Sequence, residues 1–160
     1  MKRVLATFGL AMALVGAGLA AQAHSFNVAL VGEAVRESGA YDGFRLATLE
    51  RDAHAGEESD GHLGGLDVYI FSAEPGAELP AGMNIVVLLD AGEFPAVSVQ
   101  KEIGSDALRP SIAWAALIAL DFENRYAATY GTPASPAARQ GYYAAQLIER
   151  FVRHNPGFAR

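Results

Sequence analysis

The run Met83 to Leu89 (MNIVVLL) carries no charge, has β-branched residues at its centre, and is followed directly by Asp90-Ala91-Gly92. Side chains on a strand point alternately to opposite faces, so a run that is apolar at consecutive positions has to bury both. Such a strand belongs inside a layered fold. Phe26 to Gly32 (FNVALVG) has the same character and ends in glycine. Leu66 to Phe71 (LDVYIF) alternates enough to be another strand, and Ala96 to Gln100 (AVSVQ) follows Pro95 as a fourth.

Between and after these runs the periodicity changes. Ala40 to Ala53 contains no proline and sets Leu46, Leu49 and Ala53 on one side, with Phe44 and Ala47 nearby, which predicts a first helix. Ser111 to Tyr130 holds Trp114, Leu117, Ile118, Phe122 and Tyr126 at helical spacing and stops at Gly131, before Pro133. The last helix is punctuated by Ser135 as cap and Pro136 in the first turn, and it fades at His154 before Asn155-Pro156. Its buried stripe is Ala144, Leu147, Ile148, Phe151 and Val152, with Glu149 and Arg153 on the outer face. Glu33–Gly39, Ala55–Gly65 and Ser72–Gly82, the last with Pro75 and Pro80, read as loops. A strand-helix-strand opening followed by helices predicts an α/β fold: one lobe, a mostly parallel sheet of about four strands, and helices on both faces.

The N-terminus has the three parts of a secretory signal. Lys2 and Arg3 come first, Val4 to Ala20 is apolar, and Ala21-Gln22-Ala23 gives a small-x-small cleavage pattern. The expectation is an exported, periplasmic protein: residues 1–23 a signal peptide, 24–160 a single domain beginning at His24, and no membrane span once the signal is cut. The formal net charge is −6, and losing Lys2 and Arg3 would take it to about −8. That balance offers no basic stripe for nucleic acid and no attraction to anionic membranes. There is no cysteine, which excludes disulfides, thiolate metal sites and a cysteine nucleophile.

Several pieces resemble the type I periplasmic solute-binding proteins, the branched-chain amino-acid-binding class of ABC transporter receptors. Phe26 to Gly32 is similar to that family's first strand. Ser38-Gly39, Gly43 and Leu46-Ala47 are similar to its loop and "G-x-x-L-A" helix, and Gly64-Gly65-Leu66-Asp67-Val68 to its lead into the second strand. Phe122, Tyr126, Tyr130-Gly131, Pro133 and Gly141-Tyr142-Tyr143-Ala144-Ala145 resemble the family's "F-x-x-x-Y-x-x-x-Y-G-x-x-P … G-Y-D-A-A" helices. Family members are more than twice this length and close two lobes on a ligand, whereas this chain resembles first-lobe elements alone. The resemblance implies a single Rossmann-like lobe, with half a cleft unless a second subunit, as in a homodimer, supplies the rest.

Ligands of open α/β sheets sit beyond the carboxyl ends of the strands. The residues expected there are Glu33, Ser38, Ser72, Asp90, Glu93 and Ser98. The family usually places small hydroxyl residues after its third strand, where this chain has Asp90-Ala91-Gly92-Glu93. Those carboxylates would repel an amino-acid carboxylate and favour a cationic or neutral partner. The leading expectation is thus a non-enzymatic solute-binding or accessory protein of an ABC-type transport system, without cofactor, that binds a small solute or a transporter partner. A second reading is a copper or zinc carrier in which His24, as the mature N-terminus, acts with His54 or His62. A third is an interaction module that has lost its ligand. No G-x-S-x-G, H-E-x-x-H or phosphate-binding glycine loop supports catalysis.

Overall fold

Phe26, Val28 and Leu30 alternate along one strand and are each at most 1% exposed, which puts that strand in the middle of a covered sheet. The computed structural model describes residues 24–51, 58–89, 94–99, 121–155 and 157–158. The central strand, β1 (Ser25–Val31), has β3 (Leu66–Ala73) on one side and β4 (Ile85–Leu88) on the other. Both run parallel to it, in a register that sets Phe26 beside Val68 and Val28 between Ile70 and Ile85. β2 (His62–Leu63) and β5 (Ala96–Val99) form the margins, antiparallel to β3 and β4. The order is β2-β3-β1-β4-β5.

This sheet corrects the expected mostly parallel, four-stranded Rossmann-like lobe: it is mixed, five-stranded and curled into a half-barrel. The reason lies in the connections. Only residues 89–95 separate β4 from β5, and a parallel return needs a crossover of roughly a dozen residues or more. At the other margin Gly64 and Gly65, with φ of 64° and 83°, make a two-residue hairpin turn, and β2 forms where a loop was expected.

The helices are α1 (Ala40–Leu49), α2 (Phe122–Tyr130) and α3 (Pro136–His154). α1 packs along α3, and the strand residues below them, among them Val68, Ile85 and Val97, are fully buried. Gly43 and Gly141 set the distance. A methyl group on Gly43 would run into the Ala138 carbonyl, and one on Gly141 into the Ala40 carbonyl. The two backbones therefore meet across a seam of glycine and alanine, over which side chains interlock at native density.

Each helix end has a local cause. Ser135 Oγ accepts from the Ala138 N–H at 2.9 Å and caps α3, with Pro136 in the first turn as expected. α1 ends at Leu49, short of Ala53. α2 begins at Phe122, directly after Asp121, whose backbone is left-handed (φ 65°) and so is not part of a right-handed helix; the expected start from Ser111, with Trp114, lies outside the described residues.

Glu149 is a further correction. Instead of standing on the outer face it is 5% exposed, its carboxylate accepting from the Gly64 N–H and pairing with Arg153. It ties α3 to the hairpin turn below.

The described helices lie on one face of the sheet, not on both. Moving from β1 to β3 uses α1 as the crossover. The step from β3 to β4 goes back across β1, and a connection of the same hand runs over the opposite face. Residues 74–84 make that step with Pro75 and Pro80 and without a helix. Asn27, which alternation turns to that face, donates from Nδ2 to the Gly82 carbonyl at 3.1 Å. The face away from the helices is thus crossed by an exposed linker.

Candidate functional site

Of the residues expected at the strand ends, Glu33, Ser38, Ser72 and Ser98 are described. The Gly32 N–H donates to the Ala73 carbonyl at 3.1 Å, which brings the exit of β1 beside the end of β3 and leaves Glu33 and Ser72 exposed near that corner. Ser38 is engaged in the scaffold. Its hydroxyl donates to the Val35 carbonyl at 3.3 Å, and its own carbonyl accepts from Ser135 Oγ. Ser98 sits on β5 in register with Val86 and alternates with the buried Val97 and Val99, so it belongs to the face away from the helices. Ser72, in register with Leu30, belongs to the helix-covered face at the strand tip. Asp90 and Glu93 lie outside the described residues, as do the signal-like segment and His54.

The histidines expected for copper or zinc are placed at the opposite end of the sheet. His24 is exposed just before β1, and His62 Nε2 contacts Asp67 Oδ1 at 2.8 Å across the hairpin. Among the described residues no group of three histidine, aspartate or glutamate side chains comes together to hold a metal.

Alternation and register assemble a different surface. On β3, Val68 and Ile70 turn toward the helices, so Tyr69 and Phe71 turn away. Ala29 lies between Phe71 and Val86, and Val31 between Ala73 and Leu88. Tyr69, Phe71 and Leu88 keep 36%, 38% and 44% of their surface exposed, although side chains this apolar usually gain from burial. Asn27, Val86 and Ser98 complete the face, whose centre among the described residues carries no acidic or basic side chain. Sequence reading missed it because apolar residues on both sides of a strand were taken to mean helices on both sides. LDVYIF has large apolar residues in both alternating sets, which leaves open which of the two is covered.

Polar and aromatic groups inside the helical layer bind elements together. Tyr142 donates to Glu50 Oε2 at 2.9 Å and accepts from Arg125 at 2.9 Å, and Arg125 reaches Glu50 Oε1 at 2.9 Å. One ionic contact thus joins all three helices. Tyr41 donates to Asp60 Oδ1 at 3.0 Å, while Asp60 Oδ2 accepts from the Ile70 N–H at 2.8 Å. Tyr130 donates to the Asp42 carbonyl at 2.9 Å. Burial raises the pKa of all three phenols; hydrogen bonds to Asp60 and Glu50 add to this for Tyr41 and Tyr142, and Tyr130 is pushed up to about 12. Raised phenols of this kind hold their protons and serve as fixed donors rather than acid-base groups.

Comparison with family models, with curated proteins and with solved structures finds no match. Among the described residues, no helix is long and apolar enough to cross a membrane.

Proposed function

We propose that this chain is an exported, non-enzymatic accessory protein that works by docking another protein on the open face of its sheet. The observation that carries the reading is the exposed apolar set Tyr69, Phe71 and Leu88, on the two parallel strands β3 and β4 that flank β1, with the helical layer on the other face. Contiguous exposed apolar surface is costly in water and marks interaction sites. Aromatic side chains in such a patch supply much of the contact energy of an interface. Of the described residues expected to grip a solute, Ser38 is hydrogen-bonded within the scaffold and Ser72 and Ser98 stand on opposite faces. Service beside a transport system is what the resemblance in the sequence adds to this reading, and export rests on residues 1–23.

Site-specific photocrosslinking in the exporting cell tests it. A photoreactive phenylalanine at position 69 or 71 is expected to trap a discrete protein, and the same group at Arg139, exposed on the helical side, is not. A parallel thermal-shift series with amino acids, amides and small amines separates docking from solute capture. A bound solute at about 100 times its Kd adds about 2.7 kcal/mol of stability, which would raise the melting temperature by several degrees. No rise is expected. Indiscriminate crosslinking at all positions, or a clear rise with one solute, overturns the reading.

A further inference from the structure

Charge is unevenly divided along this chain. Between Arg51 and Lys101 the chain has no lysine or arginine, yet it holds nine of the 18 acidic residues. β2, β3, β4 and β5 all fall in that stretch, and β1 carries no charged residue. Every described arginine lies outside it, in the helices or the segments next to them. The helical layer is therefore of mixed charge, with pairs such as Arg139–Glu123 and Arg125–Glu50. Among the described residues the four strands from β2 to β5 and the linker between β3 and β4 carry carboxylates and His62 but no lysine or arginine.

These carboxylates border the apolar row. Asp67 precedes Tyr69 on the same face of β3, where it pairs with His62. Glu74 follows Ala73 at the tip of that strand, and Glu78 stands on the linker that crosses the face; both are exposed. The result is an uncharged apolar centre with an acidic margin. Resting on the docking reading above, we propose that the partner surface is a protein segment of complementary build, an apolar knob flanked by lysine or arginine. Complementary margins steer encounter and suppress wrong partners, while the desolvated centre supplies most of the affinity. A second copy of this chain would set carboxylates against carboxylates. An anionic bilayer would be repelled in the same way.

The test uses the purified protein with two dye-labelled peptides of equal length, one alternating leucine with lysine and the other leucine with glutamate, read by fluorescence anisotropy. The lysine peptide is expected to bind at least tenfold more tightly, and its affinity to fall as salt rises from 50 to 500 mM, about a Debye length of 14 Å shrinking to 4 Å. Glu74→Gln with Glu78→Gln should weaken it several-fold and flatten the salt dependence. Phe71→Ser with Leu88→Ser should abolish it at all salt concentrations. Equal binding of the two peptides, lost in the Phe71 and Leu88 variant, overturns the cationic partner while leaving the docking face intact. Binding of neither peptide, or binding indifferent to Phe71 and Leu88, overturns the proposal. Circular dichroism of each variant confirms that the fold is retained.

Discussion

Gly43 and Gly141 show how a sequence pattern can carry a packing requirement. Both stood in the blocks that resemble a receptor family, and both turn out to be points where two helix backbones touch. Nothing larger fits there, whatever the protein does. Gly43→Ala or Gly141→Ala is expected to destabilise the fold by about 1–3 kcal/mol, since the added methyl meets backbone that cannot rotate away. A fall of several degrees in the melting temperature checks this. Glu149 makes the complementary point. Its spacing to Arg153 suggested a surface pair, but its carboxylate is needed by the Gly64 N–H. Glu149→Ala strands that donor and is expected to cost about 1–3 kcal/mol, measured by urea unfolding.

At the scale of elements, the cap of α3 was readable because its chemistry is local. Serine, proline and the stripe that follows them need no tertiary context, and Ser135→Ala is expected to cost about 0.5–2 kcal/mol in a thermal melt. The central strands were readable for a related reason: runs such as FNVALVG have few other ways to bury themselves. The margins were not. β2 has two residues and depends on a glycine turn, and the direction of β5 depends on how short its connection is. The break at Asp121 was hidden as well, because helical spacing continues through it. Tyr130 joins α2 to α1 and gives the layer an alkaline limit. Its pKa is raised above the ordinary 10 to about 12, chiefly by burial and next by Asp42. The stabilisation it contributes is complete below pH 10 and lost as pH rises through about 12. Tyr130→Phe is expected to flatten that loss in stability measured between pH 10 and 12, while Tyr41, Tyr126 and Tyr142, raised in the same direction, retain part of it.

At the scale of the whole sheet, the described helices hold one face, and among the described residues the other is crossed by the linker alone. The candidate site was illegible in the sequence for this reason. Whether Phe71 or Leu88 is core or surface depends on which connections contain helices, and no window around either residue carries that information. Replacing both by serine is expected to change stability by about 0.5 kcal/mol or less each, the usual range for exposed positions. The same change should sharply reduce binding of a hydrophobic dye. Loss of the fold in that variant would show the two side chains to be interior after all.

The outermost strands have a consequence for assembly. β2 is two residues long and β5 four, the latter directly after Pro95, so each margin exposes few main-chain donors and acceptors. Along the described margins a newcomer gains little by lining up alongside as an added ribbon. On the docking reading, a partner is expected to lie across the strands, as a tile on a tile, rather than extend the hydrogen-bonding ladder.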